Sequence, residues 1–169
     1  MNNIFKKEKG FSLIEILISI LIVAIAFIGV YRVISKYNTY TQKERESFVA
    51  AYLCQEGIEI VKNLRDSNWI EGVDWDNGLI SCASGCEADY NDSALTAWSS
   101  PGRDLYIENV TGSYEYLAAP VEGDIQTSYK RKIEILQSGD DELDITVIVY
   151  WGINAGNAMV VKENIFNWK

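Results

Sequence analysis

A long apolar run near the N-terminus constrains this chain of 169 residues more than any other feature. Residues 11–31 contain no Lys or Arg. At a rise of ~1.5 Å per residue they would form a helix of ~30 Å, which matches the hydrocarbon core of a bilayer. The run therefore predicts a membrane-spanning helix. Three lysines stand just before it, at positions 6, 7 and 9, so the positive-inside bias predicts that the chain after Tyr31 lies outside the cytoplasm.

One carboxylate interrupts the apolar run. Glu15 lies one helical turn after Phe11. A lone carboxylate inside a membrane costs roughly 2.5–3.5 kcal/mol on insertion scales, so its presence indicates a function. The run itself offers no cation to compensate it. Cleavage before Phe11 would create one, because an α-amine is protonated at neutral pH.

Residues 9–15, with the sequence Lys-Gly-Phe-Ser-Leu-Ile-Glu, resemble the processing site of class III signal peptides. Such peptides occur in type IV pilins and in the pseudopilins of type II secretion. The resemblance implies that residues 1–10 are a leader peptide and that a prepilin peptidase cuts between Gly10 and Phe11. It also implies that the same enzyme methylates the amine of Phe11, and that Glu15 pairs with that amine on a neighbouring subunit.

The same resemblance implies partners and a location. Residues 11–35 would first anchor a single-pass protein in the cytoplasmic membrane, with the head outside the cytoplasm. They would then contact other pilin subunits in the core of a pilus or pseudopilus, at the cell surface or in the periplasm. Residues 25–30 and 56–65 are similar to minor pilins of the PilV type. The implied function is that of a structural subunit, a minor pilin or pseudopilin, of a filament for adhesion or secretion.

Two alternatives remain open. Ala24-Ile25-Ala26 fits an ordinary signal-peptidase site, which would release a secreted domain beginning at Phe27. An uncut anchor would instead make the protein a membrane-tethered extracytoplasmic binding module that does not polymerise, with residues 67–102 gripping a ligand. The position of Glu15 and the apolar residues beyond Ala26 argue against the secreted domain.

Composition excludes several classes of function. The chain has no histidine, which removes Ser-His and Cys-His catalysis and all histidine metal sites. No nucleophile–base pair or phosphate-binding loop is visible, so we expect no enzyme and no cofactor. The net charge is −9, and the leader contributes +2, so residues 11–169 carry −11 in side chains. Such an acidic exported body argues against direct binding of nucleic acid.

The spacing of apolar residues predicts that the N-terminal helix covers residues 11–66. Beyond the membrane part, one face continues at steps of three or four residues, which is typical of an amphipathic helix. That face includes Phe48, Ala51, Cys54, Ile58 and Val61. The polar residues 66–68 are predicted to end the helix.

A globular head is predicted for residues 67–169, and its first part, residues 67–102, is rich in turn residues. Cys82 and Cys86 lie four positions apart there, and in an oxidising exported compartment we expect them to form a small disulfide. Cys54 is left over and is interpreted as a buried free thiol. Trp69 and Trp75 are interpreted as local packing anchors.

Strands are predicted over residues 103–169. The segments 104–110 and 114–118 are short candidates, and three stronger ones follow, namely 128–137, 143–152 and 159–168. The first of these three alternates, with Tyr129, Arg131, Ile133 and Ile135 on one side. Short turns favour an antiparallel meander covered by the amphipathic half of the helix. The predicted fold class is therefore α+β, a pilin-like long helix on a C-terminal antiparallel sheet.

Two acidic clusters are weak candidates for calcium, because hard oxygen ligands suit Ca²⁺. The first comprises residues 74–77, and the second comprises Asp140, Asp141 and Asp144 with Glu142. The first lacks the ligand spacing of an EF-hand. The second lies in a predicted hairpin turn, where solvated aspartates are ordinary.

Overall fold

The computed structural model describes residues 10–167 and has an α+β architecture. A single helix, α1, spans Leu13–Glu71. The protein divides into two compact units, one ending at Glu44 and the other beginning at Arg45. The predicted leader lies almost entirely outside the described residues.

The first unit consists of the N-terminal part of α1. Every residue from 10 to 40 is exposed. The helix contains a stretch that is long and apolar enough to cross a membrane, and none of this stretch is buried inside the protein. Length and composition therefore agree with the predicted membrane span.

The second unit contains the rest of α1 and eight strands among the residues that the structure describes. The strands are β1 (Cys86–Glu87), β2 (Thr96–Ala97), β3 (Tyr106–Ile107), β4 (Tyr114–Glu115), β5 (Ile125–Gln126), β6 (Lys130–Gly139), β7 (Glu142–Trp151) and β8 (Asn157–Phe166). A five-stranded sheet has the order β2-β1-β6-β7-β8, and a three-stranded sheet has the order β4-β3-β5. All pairs are antiparallel. The predicted meander of three long strands is confirmed as β6, β7 and β8.

The head core lies between α1 and the inner face of this meander. Strand β7 shows why the two faces differ, since every second residue from Leu143 to Trp151 is buried. Opposite it, the buried side of α1 includes Ala50, Leu53 and Val61. The two elements approach closely at Gly57, where an added Cβ would lie 2.9 Å from Cγ1 of Val147. The predicted packing of the amphipathic half of the helix on the sheet is confirmed. The buried face differs from the predicted one at its start, because Phe48 and Ala51 are exposed and Ala50 and Leu53 are buried instead.

The helix ends later than the sequence analysis predicts. Residues 66–68 remain helical, and the stop is at Gly72, whose φ of 75° favours glycine. The N–H of Val73 donates to the carbonyl of Asn68 at 3.1 Å, and the N–H of Gly72 donates to Trp69 at 3.2 Å. These two bonds form a Schellman motif. The side chain of Asn68 meanwhile donates to the carbonyls of residues 75 and 77, so this polar residue fastens the following loop instead of ending the helix.

The small strands also differ from expectation. The predicted strands 104–110 and 114–118 shrink to two residues each, in β3 and β4, and form a sheet of their own with β5. Hydrogen bonds from side chains keep these strands short. The carboxylate of Glu108 accepts the N–H groups of Val110 and Thr111, which turns the chain directly after β3. Residues 67–102, predicted as loops, contribute β1 and β2 because β1 pairs with β6 at Ile133.

Candidate functional site

The N-terminal candidate site begins just before α1. Gly10, Phe11 and Ser12 are exposed and precede the first helical residue, Leu13. The carbonyl of Ser12 accepts the N–H of Glu15 at 3.0 Å and that of Ile16 at 3.2 Å, so the helix starts there. The bond between Gly10 and Phe11 therefore lies in exposed backbone outside the helix. No side chain would obstruct a Cβ at Gly10.

Glu15 lies in the first turn of α1 and is exposed. Its carboxylate meets no hydrogen-bond donor or cation within residues 10–167. The positive end of the helix dipole favours a carboxylate at this position. Its main-chain carbonyl accepts the hydroxyl of Ser19 at 2.8 Å, which leaves the side chain free to face a partner. The described site is thus an exposed apolar helix with one unpaired carboxylate four residues after Phe11.

In the head, a disulfide joins Cys82 and Cys86, with their Cα atoms 5.3 Å apart. Both residues are buried. Cys82 ends the 3₁₀ helix Ile80–Cys82, and Cys86 begins β1 opposite Ile133 of β6. The bridge therefore holds a short loop against the edge of the long meander.

Cys54 is a buried free cysteine on α1. Burial raises the pKa of its thiol to about 11. Its Sγ lies 3.7 Å from the carbonyl oxygen of Met159, a weak hydrogen bond across to β8. The thiol is consequently protonated at neutral pH and packs as a small apolar group.

A buried arginine forms the polar centre of the head. Arg131 on β6 is fully buried, and its Nη1 lies 3.0 Å from Oε2 of Glu56 on α1. The same guanidinium donates to the carbonyl of Leu53 at 3.3 Å and to that of Ala88 at 2.6 Å. It thereby connects the helix, the central sheet and the segment after β1. Its role is structural, since Nη1 and Nη2 pair with the carboxylate and the two carbonyls, while its buried Nε has no hydrogen-bond partner among the described residues.

A second polar cluster adjoins it. Glu87 is buried and accepts the Nε of Arg103 at 2.6 Å, while the guanidinium of Arg103 lies 4.5 Å from the ring centre of Tyr116. The hydroxyl of Tyr116 donates to the carbonyl of Arg131 at 3.0 Å. Burial raises the pKa of Tyr116 to about 12. The two clusters form one network that ties the small sheet to the large one.

The alternating pattern placed Arg131 on the same side of its strand as Ile133 and Ile135 but did not identify it as the centre of a network. The sequence contained a signal for this role, because Arg131 occupies one of the alternating apolar positions of the strand. An arginine at a buried position needs buried hydrogen-bond or charge partners. The partners themselves, such as the carbonyl of Ala88, come from distant segments that periodicity does not connect. Trp75 and Trp69 do serve the core, the first buried in it and the second packed against it.

The calcium candidates do not form a centre. Across residues 10–167, no group of three or more acidic or cysteine side chains is placed to hold a metal ion. Asp141 instead accepts two hydrogen bonds from Asn167, at its carbonyl and at Oδ1. Asp144 lies within β7, opposite Asn164 of β8. Asp140, Asp141 and Asp144 are therefore not brought together as a ligand set.

Comparison with known families returned one match. The model described as the prokaryotic N-terminal methylation motif matches residues 5–31. Neither the curated proteins nor the solved structures gave a match. The matched segment covers the bond before Phe11, the residue Glu15 and the apolar part of α1. With the long helix packed on antiparallel strands, this motif supports a prepilin-type protein whose layout is similar to that of the type IV pilin-like family.

Proposed function

We propose that this protein is a minor pilin or pseudopilin, a structural subunit of a type IV pilus or a related secretion filament. The observation that carries the proposal is the exposed apolar helix with a single carboxylate, Glu15, four residues after Phe11 inside a methylation motif. A prepilin peptidase would cut after Gly10 and methylate the new amine of Phe11. Other pilin subunits and the cytoplasmic membrane are the implied partners.

Two interactions would drive assembly, namely the packing of apolar helices and a charge pair between subunits. Residues 11–35 expose apolar side chains that nothing within residues 10–167 buries, and packing them against neighbouring helices removes that surface from lipid or water. The methylated amine of one Phe11 would pair with Glu15 of the next subunit. Because a charge in an apolar surround is costly without a partner, this pair would fix the axial register between subunits.

The head would project its loops and sheets from the filament. Its buried Arg131 network and its disulfide stabilise the fold, and neither presents a reactive group. The chain's own residues thus support a structural subunit. They offer no catalytic pair within the described part.

The experiment is an analysis of processing and assembly in cells that carry a prepilin peptidase and the matching filament machinery. Intact mass and N-terminal sequence are measured first. A chain beginning at methylated Phe11 is expected. A start at Phe27 would make the protein a secreted domain, and a retained Met1 would make it a tethered module; either result overturns the proposal.

Assembly is then tested with Glu15→Val. This variant is expected to insert and to be cleaved, while its recovery in sheared filaments falls by about tenfold or more, because the Phe11 amine loses its partner. Glu44→Gln is the matched control, since Glu44 is also an exposed carboxylate of α1 but lies beyond the apolar run. Equal recovery of Glu15→Val and the native chain would contradict the assembly mechanism.

A further inference from the structure

Three cations follow the apolar run on one face of α1. Arg32, Lys36 and Lys43 fall within about 40° of one another around a helix of 3.6 residues per turn. Lys36 and Lys43 line one surface groove together with Tyr40, and Arg32 and Lys36 line a second. All of these side chains are exposed. We call Arg32, Lys36 and Lys43 the stem ridge.

The stem ridge forms no ion pair among the residues that the structure describes. Residues 16–43 contain no Asp or Glu. Among residues 10–167, no carboxylate lies within ion-pair distance of the three cations, and the salt bridges that do form join other residues. Three neighbouring cations without a counter-charge indicate an anionic partner supplied from outside the chain.

The position of the stem ridge matches the edge of a bilayer. If residues 11–31 cross the hydrocarbon core, Arg32 and Lys36 lie about 1.5 and 7.5 Å beyond it along the helix axis. The headgroup layer is about 5–8 Å thick on each side. Lys43 lies about 18 Å beyond the core, within reach of the headgroup charge through its long side chain and the Debye length of ~10 Å.

Tyrosines accompany the cations. Tyr31, Tyr37 and Tyr40 are all exposed on the same segment. Tyrosine is enriched where membrane-spanning helices meet water, because its ring is apolar and its hydroxyl is polar. Tyrosines and cations together are typical of a segment that lies at the membrane–water interface. Without a membrane surface, these three exposed rings have no partner in their own unit.

Membrane topology does not explain the stem ridge. Cations that follow a span on its exported side work against the positive-inside bias. The lysines before the apolar run serve orientation, so Arg32 and Lys36 at its other end are an unfavourable feature for insertion unless they bind something. Anionic lipid headgroups are the charges that lie at this depth.

We propose that the stem ridge binds the phosphate groups of anionic phospholipids in the outer leaflet of the cytoplasmic membrane. The inference rests on the membrane insertion in the proposed function, but not on cleavage or polymerisation. Arg32 and Lys36 would contact lipid phosphate directly, Lys43 would be attracted to the headgroup charge from farther out, and the three tyrosines would hold the segment at headgroup depth. A subunit leaving the membrane for a filament must then give up these lipid contacts, so the stem ridge sets a barrier to extraction.

The test uses site-specific photo-crosslinking of the full chain in liposomes. A benzophenone amino acid replaces Thr39, which lines the groove with Lys36 and Lys43. In a matched sample it replaces Asn38, about 140° away from the stem ridge on the helix. The liposomes contain phosphatidylglycerol in one series and phosphatidylcholine only in the other. Crosslinked products are identified by mass, and resistance to alkaline extraction verifies insertion in each sample.

We expect a crosslink from position 39 to phosphatidylglycerol that exceeds the crosslink from position 38. In a chain with Arg32→Gln, Lys36→Gln and Lys43→Gln, the yield at position 39 should fall by about fivefold or more, because each cation near an anionic surface contributes to binding. Arg45→Gln, a cation on the opposite side of α1, should leave the yield unchanged. The native yield should also fall in high salt.

Three results would overturn the proposal. One is equal crosslinking to phosphatidylglycerol and phosphatidylcholine. Another is a product in which position 39 is joined to a second copy of the chain, since the stem ridge would then be a protein interface. The third is no product at position 39 in inserted samples where a benzophenone at Ile25 crosslinks lipid. Failure of cleavage or filament assembly leaves this readout unaffected, so the two proposals fail separately.

Discussion

Nη1 of Arg131 lies 3.0 Å from Oε2 of Glu56, and this ion pair joins strand β6 to helix α1 inside the head. The two partners are unequally buried. The arginine side chain is fully buried, whereas the glutamate side chain keeps 29% of its exposure. The guanidinium also satisfies the carbonyls of Leu53 and Ala88. We therefore expect the stability of the head to depend more on the arginine than on the glutamate.

Replacing Arg131 should be far more damaging than replacing its partner. Arg131→Ala removes the donor to the carbonyl of Ala88, leaves Glu56 without its partner and opens a cavity, which costs about 3–5 kcal/mol in the free energy of unfolding. Glu56→Gln keeps an acceptor at the half-exposed end and should cost about 1 kcal/mol or less. Urea unfolding of the full chain in detergent, followed by tryptophan fluorescence, measures both. Equal losses would show that the pair, and not the arginine's wider set of contacts, determines stability.

Gly57 should not tolerate a side chain. Gly57→Ala places a Cβ 2.9 Å from Cγ1 of Val147, so the helix and β7 must move apart. We expect a loss of about 1–3 kcal/mol, despite a gain of up to ~1 kcal/mol in helix propensity. Gly29→Ala is the matched control, because nothing lies within 4 Å of a Cβ there.

A compensating change sharpens this test. The double variant Gly57→Ala with Val147→Ala removes the colliding methyl groups and should recover part of the lost stability. Thermal unfolding by circular dichroism of the four chains gives the coupling. Additive effects would argue that the close approach is unimportant.

Alkaline pH should destabilise the head. The folded pKa of Tyr116 is about 12, because burial disfavours the phenolate, and the unfolded value is ~10. The folded state thus retains a proton that the unfolded state releases. This contribution to stability is complete below pH 10 and is lost as pH rises from 10 to 12, by up to about 1.4 kcal/mol per pH unit.

Tyr116→Phe tests this pH dependence. The variant should lose about 1 kcal/mol at pH 7, with the hydrogen bond to Arg131, and should show a shallower fall above pH 10. Urea midpoints between pH 7 and 11 provide the measurement. Tyr37→Phe, on the exposed part of α1, should follow the native curve, and an unchanged slope in Tyr116→Phe would contradict the assignment.

The Cys82–Cys86 bridge should contribute modestly to stability. It closes a loop with a sequence separation of only 4, for which the chain-entropy model gives about 2 kcal/mol. The double variant Cys82→Ala with Cys86→Ala and the reduced native chain should lose the same amount. Without reductant, a thiol reagent should modify only Cys54, and only after unfolding. Rapid labelling of the folded, unreduced chain would contradict the disulfide.

The long elements could be predicted because they depend on local pattern. Residues 11–31 are apolar throughout, and the alternation in residues 128–137 places Arg131 beside Ile133 on one face. The same periodicity is seen in the fold, since the second half of α1 and the strands β6 and β7 each bury one face, and β8 partly buries alternate residues. The N-terminal site was equally accessible, as its motif is contiguous.

The remainder depends on contacts that sequence spacing does not reveal. The helix continues through residues 66–68 because the Schellman motif that ends it forms at Gly72. The side chain of Asn68 donates to the following loop and does not cap the helix. The two-residue strands β3, β4 and β5 exist only through pairing with one another. The partners of Arg131 lie up to 78 positions away. These features are decided by tertiary pairing, which overrides local preference.

The close approach at Gly57 also limits which substitutions can be accepted at this position during evolution. A helix from a relative fits this sheet only if it presents a glycine opposite Val147, so the two positions must vary together. Residues 13–40 are all exposed, so within their own unit no close approach of this kind limits their side chains. The anchor and the head can therefore diverge independently, and one kind of anchor can be combined with many different heads.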